Sequence, residues 1–73
     1  MELKIIEPSP DSNCWSAIVF ENNQYRFGAM GATRVTALRK LKQEIKMRRE
    51  VLTDTSKIET LDKVLADIER ALT

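Results

Sequence analysis

The side chains best suited to binding chemistry are concentrated in one segment. Seven of the twelve Lys and Arg residues lie between Arg34 and Arg49, with Glu44 as the only acid among them. On a helix with about 100° between successive residues, four of these cations form one row. The members of this basic row are Arg39, Lys42, Lys46 and Arg49. Because like charges along a helix repel one another, we expect a ligand or a partner to offset them.

Two kinds of group could neutralise the basic row. Asp62 and Glu69 stand one heptad apart in the last third of the chain, like the edge positions of a coiled coil. An antiparallel helical hairpin or a dimer would set these acids against the row. Otherwise the cations would face an acidic protein or the phosphates of a nucleic acid. The predicted partner- or phosphate-binding residues are Arg34, Arg39, Lys42, Lys46 and Arg49.

Catalysis and metal binding are not predicted. The chain has no histidine, no glycine-rich phosphate loop and no nucleophile beside a base. Cys14 is the only cysteine, and one thiol cannot supply a tetrahedral zinc site. We therefore predict a protein that is not an enzyme and uses no cofactor and no metal.

Composition favours a protein partner over a nucleic acid. The isoelectric point of about 7.9 is below the value of about 9 or more that is typical of nucleic-acid-binding domains. Aromatic rings that could stack on bases are few, and we expect all of them in the core: Trp15, Phe20, Tyr25 and Phe27. Protein binding is therefore the first prediction, and RNA or DNA binding through the basic row is the alternative.

A small antiparallel meander is predicted for the first 31 residues. Residues 3–6, 14–20 and 24–28 are β-branched and aromatic, which is typical of strands. Between the last two, Asn22-Asn23 suits a two-residue type I′ turn, because asparagine tolerates positive φ. Alternation places Trp15, Ala17 and Val19 on one face of the second strand, and Ser16, Ile18 and Phe20 on the other. In the third strand it places Tyr25 and Phe27 together, opposite Arg26.

Two amphipathic helices are predicted to follow, over residues 32–52 and 56–72. Thr33 is the expected N-cap of the first helix. Residues 53–56 supply several cap candidates for the second helix, and Ser56 with Glu59 forms a capping box. The first helix has an apolar stripe made of Ala37, Leu38, Leu41, Ile45 and Leu52. The second has a heptad seam with spacings of three and four residues, made of Ile58, Leu61, Leu65, Ile68 and Leu72. Such a seam favours a partner helix, either from the same chain or from another subunit.

The sequence therefore predicts one α+β domain over residues 1–73, a three-stranded meander packed on a long helix with a second amphipathic helix. A core of this size is marginally stable, so we expect added stability from a protein partner or from a homo-oligomer such as a dimer. A single cysteine is typical of a reducing compartment. No apolar run is long enough to span a membrane and none resembles a signal peptide, so we expect a cytoplasmic protein.

Two resemblances refine this expectation. The strand with Trp15, Ala17 and Val19, followed by Thr33 and the stripe that opens the first helix, resembles the HicB-like antitoxin domain over residues 3–46. That resemblance implies a small protein that binds and blocks another protein, as an antitoxin, inhibitor or phage-type accessory factor does. The stretch is also similar to the end of a double-stranded-RNA-binding domain, with Thr33, Arg34 and Ala37 in matching positions. This second resemblance implies contact between the start of the helix and RNA phosphates.

Overall fold

The computed structural model describes all 73 residues and confirms the α+β fold. Three antiparallel strands form one sheet in chain order, and two helices follow. The elements are β1 (Glu2–Ile6), β2 (Trp15–Glu21), β3 (Gln24–Gly31), α1 (Arg34–Glu50) and α2 (Thr55–Leu72). The predicted segments match these to within one or two residues, except at the end of β3.

The register of the sheet brings one set of small and branched side chains to the core face. Val19 of β2 pairs with Leu3 of β1 and Phe27 of β3, and Ala17 pairs with Ile5 and Ala29. Ala17 and Val19 are fully buried. The predicted faces of β2 are therefore confirmed.

The hairpin between β2 and β3 has the predicted turn, followed by a β-bulge. Asn22 and Asn23 have φ values of 53° and 64°, the left-handed pair that a type I′ turn requires. Val19 pairs with Phe27 but Phe20 pairs with Tyr25, so Arg26 is an extra residue in β3. The predicted faces of β3 were therefore wrong, because the extra residue separates Tyr25 from Phe27. Phe27 is buried in the core, whereas Tyr25 is 62% exposed, contrary to the expectation that every aromatic ring lies in the core.

β3 continues three residues beyond its predicted end, to Gly31. A Cβ atom on Gly31 would stand 2.7 Å from the backbone nitrogen of Ala37 and 2.8 Å from a methyl group of Thr36. The first turn of α1 therefore crosses directly over the last residue of β3. Glycine ends this strand because no side chain fits beneath the helix.

The two helices begin at different kinds of cap. Thr33 caps α1 as predicted, and its hydroxyl accepts a hydrogen bond from the backbone N–H of Thr36 at 3.1 Å. The predicted capping box of α2 was wrong, because Asp54 occupies the N-cap position. Its carboxylate accepts from the N–H groups of Ser56 and Lys57, at 2.9 and 3.4 Å. Asp54, two residues before Ser56, is thus the N-cap of α2.

Both helices pack on the same face of the sheet. α1 lies across β2 and β3, while α2 runs antiparallel to α1 and reaches β1. The core lies between the sheet and both helices. Its members are Ala17, Val19, Phe27, Ala37, Leu38, Leu41, Ile45, Leu61, Val64 and Ile68. No polar or charged residue is buried. Neither helix combines the length and hydropathy needed to cross a membrane.

Candidate functional site

The helical hairpin sets the acids of α2 against part of the basic row of α1. Arg49 donates through Nε to Asp62 Oδ1 at 2.6 Å and through Nη2 to Asp62 Oδ2 at 3.4 Å. One heptad away, the Lys42 ammonium pairs with the Glu69 carboxylate. The predicted pairing of these acids with the basic row therefore occurs within one chain, between α1 and α2.

These two pairs also shift the pKa of one partner each. The hydrogen bond to Asp62, assisted by the charge of that carboxylate, raises the pKa of Arg49. The hydrogen bond from Lys42 lowers the pKa of Glu69, and the charges of Lys42 and Lys46 act in the same direction. Both shifts favour the ionised form of the group.

Of the five predicted binding cations, only two remain free. Arg34 donates from Nη1 to the backbone carbonyl of Ala71 at 2.7 Å, which ties the start of α1 to the end of α2. Lys42 and Arg49 are paired as described. Arg39 and Lys46 are exposed and form no ion pair within 4 Å. Of the four cations in the basic row, only Arg39 and Lys46 therefore form no ion pair.

The heptad seam of α2 lies inside the chain. Leu61 and Ile68 are buried, and Leu65 and Leu72 are half-buried against the same core. Ile58 is half-buried but does not belong to this cluster. Val64, which lies outside the seam, is only 2% exposed. α2 buries a broader stripe than a coiled-coil seam because it packs against both α1 and the sheet.

The face of the sheet opposite the helices is uncovered by them and largely apolar, although Glu2, Lys4 and Ser16 share it. We call it the outer sheet face. Its apolar residues are Ile6 of β1, Ile18 and Phe20 of β2, and Tyr25 and Met30 of β3. The Lys4 ammonium lies over the Phe20 ring, 5.3 Å from its centre. Ile6, Tyr25 and Met30 are 47%, 62% and 58% exposed, while Ile18 and Phe20 in the middle are half-buried. The sequence contained the signal for this surface, since β2 is apolar on both of its faces.

A cleft of about 390 Å³ opens where the β2–β3 hairpin meets the loop between the helices. We call it the hairpin cleft. Three cations from three different elements line it: Arg26 at the bulge, Arg48 in the last turn of α1 and Lys57 in the first turn of α2. Its apolar wall includes Phe27, Leu52 and Leu61. None of these cations was predicted as a binding residue. The position of Arg26 depends on the bulge, which forms only when β3 pairs with β2.

No group of three or more His, Cys, Asp or Glu side chains is placed to hold a metal ion. Cys14 is a free, half-buried thiol. In comparisons with known proteins, no family model, no curated protein and no solved structure matches this chain.

Proposed function

We propose that this chain is a non-catalytic protein-binding module that acts by covering a surface of a partner protein, as a small antitoxin, inhibitor or phage-type accessory factor does. The uncovered outer sheet face carries this proposal. Monomeric proteins rarely expose contiguous apolar patches larger than a few hundred Å², and such patches commonly mark protein interaction sites. The free Cys14 is in keeping with action in the reducing cytoplasm.

The arrangement of this face supports a docking role. Ile18 and Phe20 lie on the central strand, so they stand in the middle of the face. The more exposed Ile6, Tyr25 and Met30 surround them on the two edge strands. A partner that covers the face would remove all five side chains from water, and each exposed square ångström of apolar area contributes about 25 cal/mol when it is buried.

Two methionines offer a matched test of this surface. Met30 is 58% exposed on the outer sheet face, and Met47 is 62% exposed on α1. We expect Met30→Lys to abolish recovery of a protein partner by the tagged chain from a native lysate of the source cells. Met47→Lys should recover the partner as the wild type does. Equal recovery with both variants would contradict docking at this face.

The partner can also be a second copy of this chain. Sedimentation of the purified protein over a range of concentrations separates this case from binding of a different protein. A dimer that Met30→Lys dissociates and Met47→Lys preserves would identify the second copy as the partner. The predicted homo-oligomer would then use the sheet and not the heptad seam, which the chain already buries.

Binding to RNA or DNA is the second candidate, because Arg39, Lys40 and Lys46 are exposed on α1 and have no carboxylate partner within 4 Å. It ranks lower because Lys42 and Arg49 are neutralised within the chain. Under this alternative, Arg39→Glu with Lys46→Glu would abolish binding to nucleic acid, and affinity would fall steeply with salt. Treatment of the lysate with nuclease would also remove the recovered material. A protein partner that survives nuclease favours the first candidate.

A further inference from the structure

We propose that the hairpin cleft binds a small molecule that carries a phosphate group on an apolar or aromatic body. The cleft lies at the end of the molecule where the β2–β3 hairpin meets the loop between the helices. Its volume of about 390 Å³ falls in the range of about 300–1,000 Å³ that small-molecule sites occupy. Tyr25 belongs to both the cleft lining and the outer sheet face, and the three cations of the cleft lie outside the residues that define that face.

The charges around the cleft are unbalanced. Arg48 and Lys57 form no ion pair within 4 Å, and Glu21 is the only acid on the lining. Glu21 pairs with Arg26 across 3.5 Å, so the lining has three cations and one carboxylate, and that carboxylate neutralises only Arg26. An oxyanion bound between the cations would supply the missing negative charge.

One of the three cations, Lys57, occupies a position that helix electrostatics disfavours, and a second, Arg26, is placed by the β-bulge and pairs with Glu21. Lys57 is in the first turn of α2, where the helix dipole disfavours a cation, and that turn contains no acid. Arg26 is the extra residue of the β-bulge, a device that redirects a side chain out of the regular alternation of a strand. Arg48, by contrast, is in the last turn of α1, where a cation is favourable in any case.

The cations, and not the helix end, would recognise the phosphate. Asp54 already accepts hydrogen bonds from the backbone N–H groups of Ser56 and Lys57, so these two amides are occupied. Arg48 offers a planar fork of donors that suits phosphate oxygens, and Lys57 offers an ammonium on a flexible stem. The Thr60 hydroxyl lines the cleft as well, but it donates to the Ser56 carbonyl, so it has no hydrogen to donate to a phosphate and could only accept from another part of the ligand.

The remaining lining favours an organic phosphate over the inorganic ion. Half of the ten lining residues are apolar, among them Phe27, Leu52 and Leu61. Tyr25 also lines the cleft, at its border with the outer sheet face, where its ring lies against Gly28. A ligand with both a phosphate and a ring would contact both parts of the cleft.

The test uses adenosine 5′-monophosphate as the probe, with adenosine and inorganic phosphate as its separate parts. Titration of the isotope-labelled full chain, followed by NMR, reports which backbone amides respond. We expect saturable shifts at Arg48, Lys57 and Thr60 with the monophosphate, and weaker binding of each part alone. Adenosine that binds as tightly as the monophosphate would overturn the proposal, and so would shifts that do not saturate.

Charge-neutral variants locate the site. Arg48→Gln and Lys57→Gln should each weaken binding about tenfold or more, the usual effect of losing a hydrogen bond to a charged group. Lys63→Gln in α2 removes the same charge outside the cleft lining and should leave the affinity unchanged. Because all three side chains are exposed, thermal melting should show every variant folded. Equal losses in cleft and control variants would show general attraction to cations and would overturn the proposal.

Discussion

At the residue scale, the ion pairs between the helices connect stability to pH. Lys42 and Glu69 are 27% and 51% exposed, so solvent screens the pair in part. Because Lys42 lowers the pKa of Glu69 in the folded chain, the unfolded chain binds more protons at this carboxylate in acid. The stability from this pair is therefore fully present above the ordinary glutamate pKa of roughly 4.3, and is lost as the pH falls through the lower folded value.

We predict that Glu69→Gln loses less stability on acidification than the wild type does. Urea unfolding at about pH 6 and about pH 3, on either side of the ordinary glutamate pKa, measures this loss. Glu59→Gln is the matched control, since Glu59 lies on the same helix, is exposed and has no ion-pair partner. A Glu69→Gln variant with the full acid-induced loss of the wild type would contradict the pairing with Lys42.

The two glycines give a second residue-scale prediction. Gly31→Ala should destabilise the chain by about 1–3 kcal/mol, because the added Cβ would meet the backbone of α1. Gly28→Ala should cost less, since its Cβ would stand 2.5 Å from the hydroxyl of Tyr25, an exposed side chain that can rotate away. Chemical unfolding of both variants measures the difference. Equal losses would mean that α1 does not cross β3 at Gly31.

At the scale of elements, local patterns predicted the meander and both helices. The Asn22-Asn23 turn and the Thr33 cap are local, because the residues that form them are neighbours in sequence. The bulge at Arg26 is different: it exists only when β3 is paired with β2, so alternation alone placed Tyr25 on the wrong face. Asp54 is one of the cap candidates within residues 53–56, but the S-x-x-E spacing of Ser56 and Glu59 predicts a different N-cap.

The packing of α2 gives a prediction that separates the two interpretations of its apolar residues. Val64 is 2% exposed and lies outside the heptad seam, whereas Ile58 belongs to the seam and is half-buried. We expect Val64→Ala to cost about 2 kcal/mol through lost burial and the resulting cavity, and Ile58→Ala to cost under about 1 kcal/mol. Urea unfolding measures both values. A larger loss for Ile58→Ala would indicate that the seam pairs with another subunit.

At the scale of the whole molecule, function follows from which surfaces the fold leaves open. Both helices cover one face of a three-stranded sheet, so the other face stays uncovered. The sequence predicted that either acids or phosphates offset the basic row, and it left open whether such acids belong to this chain or to a partner. Only the antiparallel placement of α1 and α2 brings Asp62 to Arg49 and Glu69 to Lys42. The spacing of charges along one helix does not predict which residues of a second helix lie beside them.

Site-specific labelling tests most directly whether a partner protein covers the outer sheet face. Met30→Cys and Met47→Cys would each be made in a Cys14→Ser background, and maleimide labelling rates would be compared in buffer and in nuclease-treated native lysate of the source cells. Because thiols in the lysate consume maleimide and slow both reactions equally, we predict that the lysate slows labelling at position 30 more than at position 47. Equal changes at the two positions, or no change at position 30, would contradict docking at the outer sheet face.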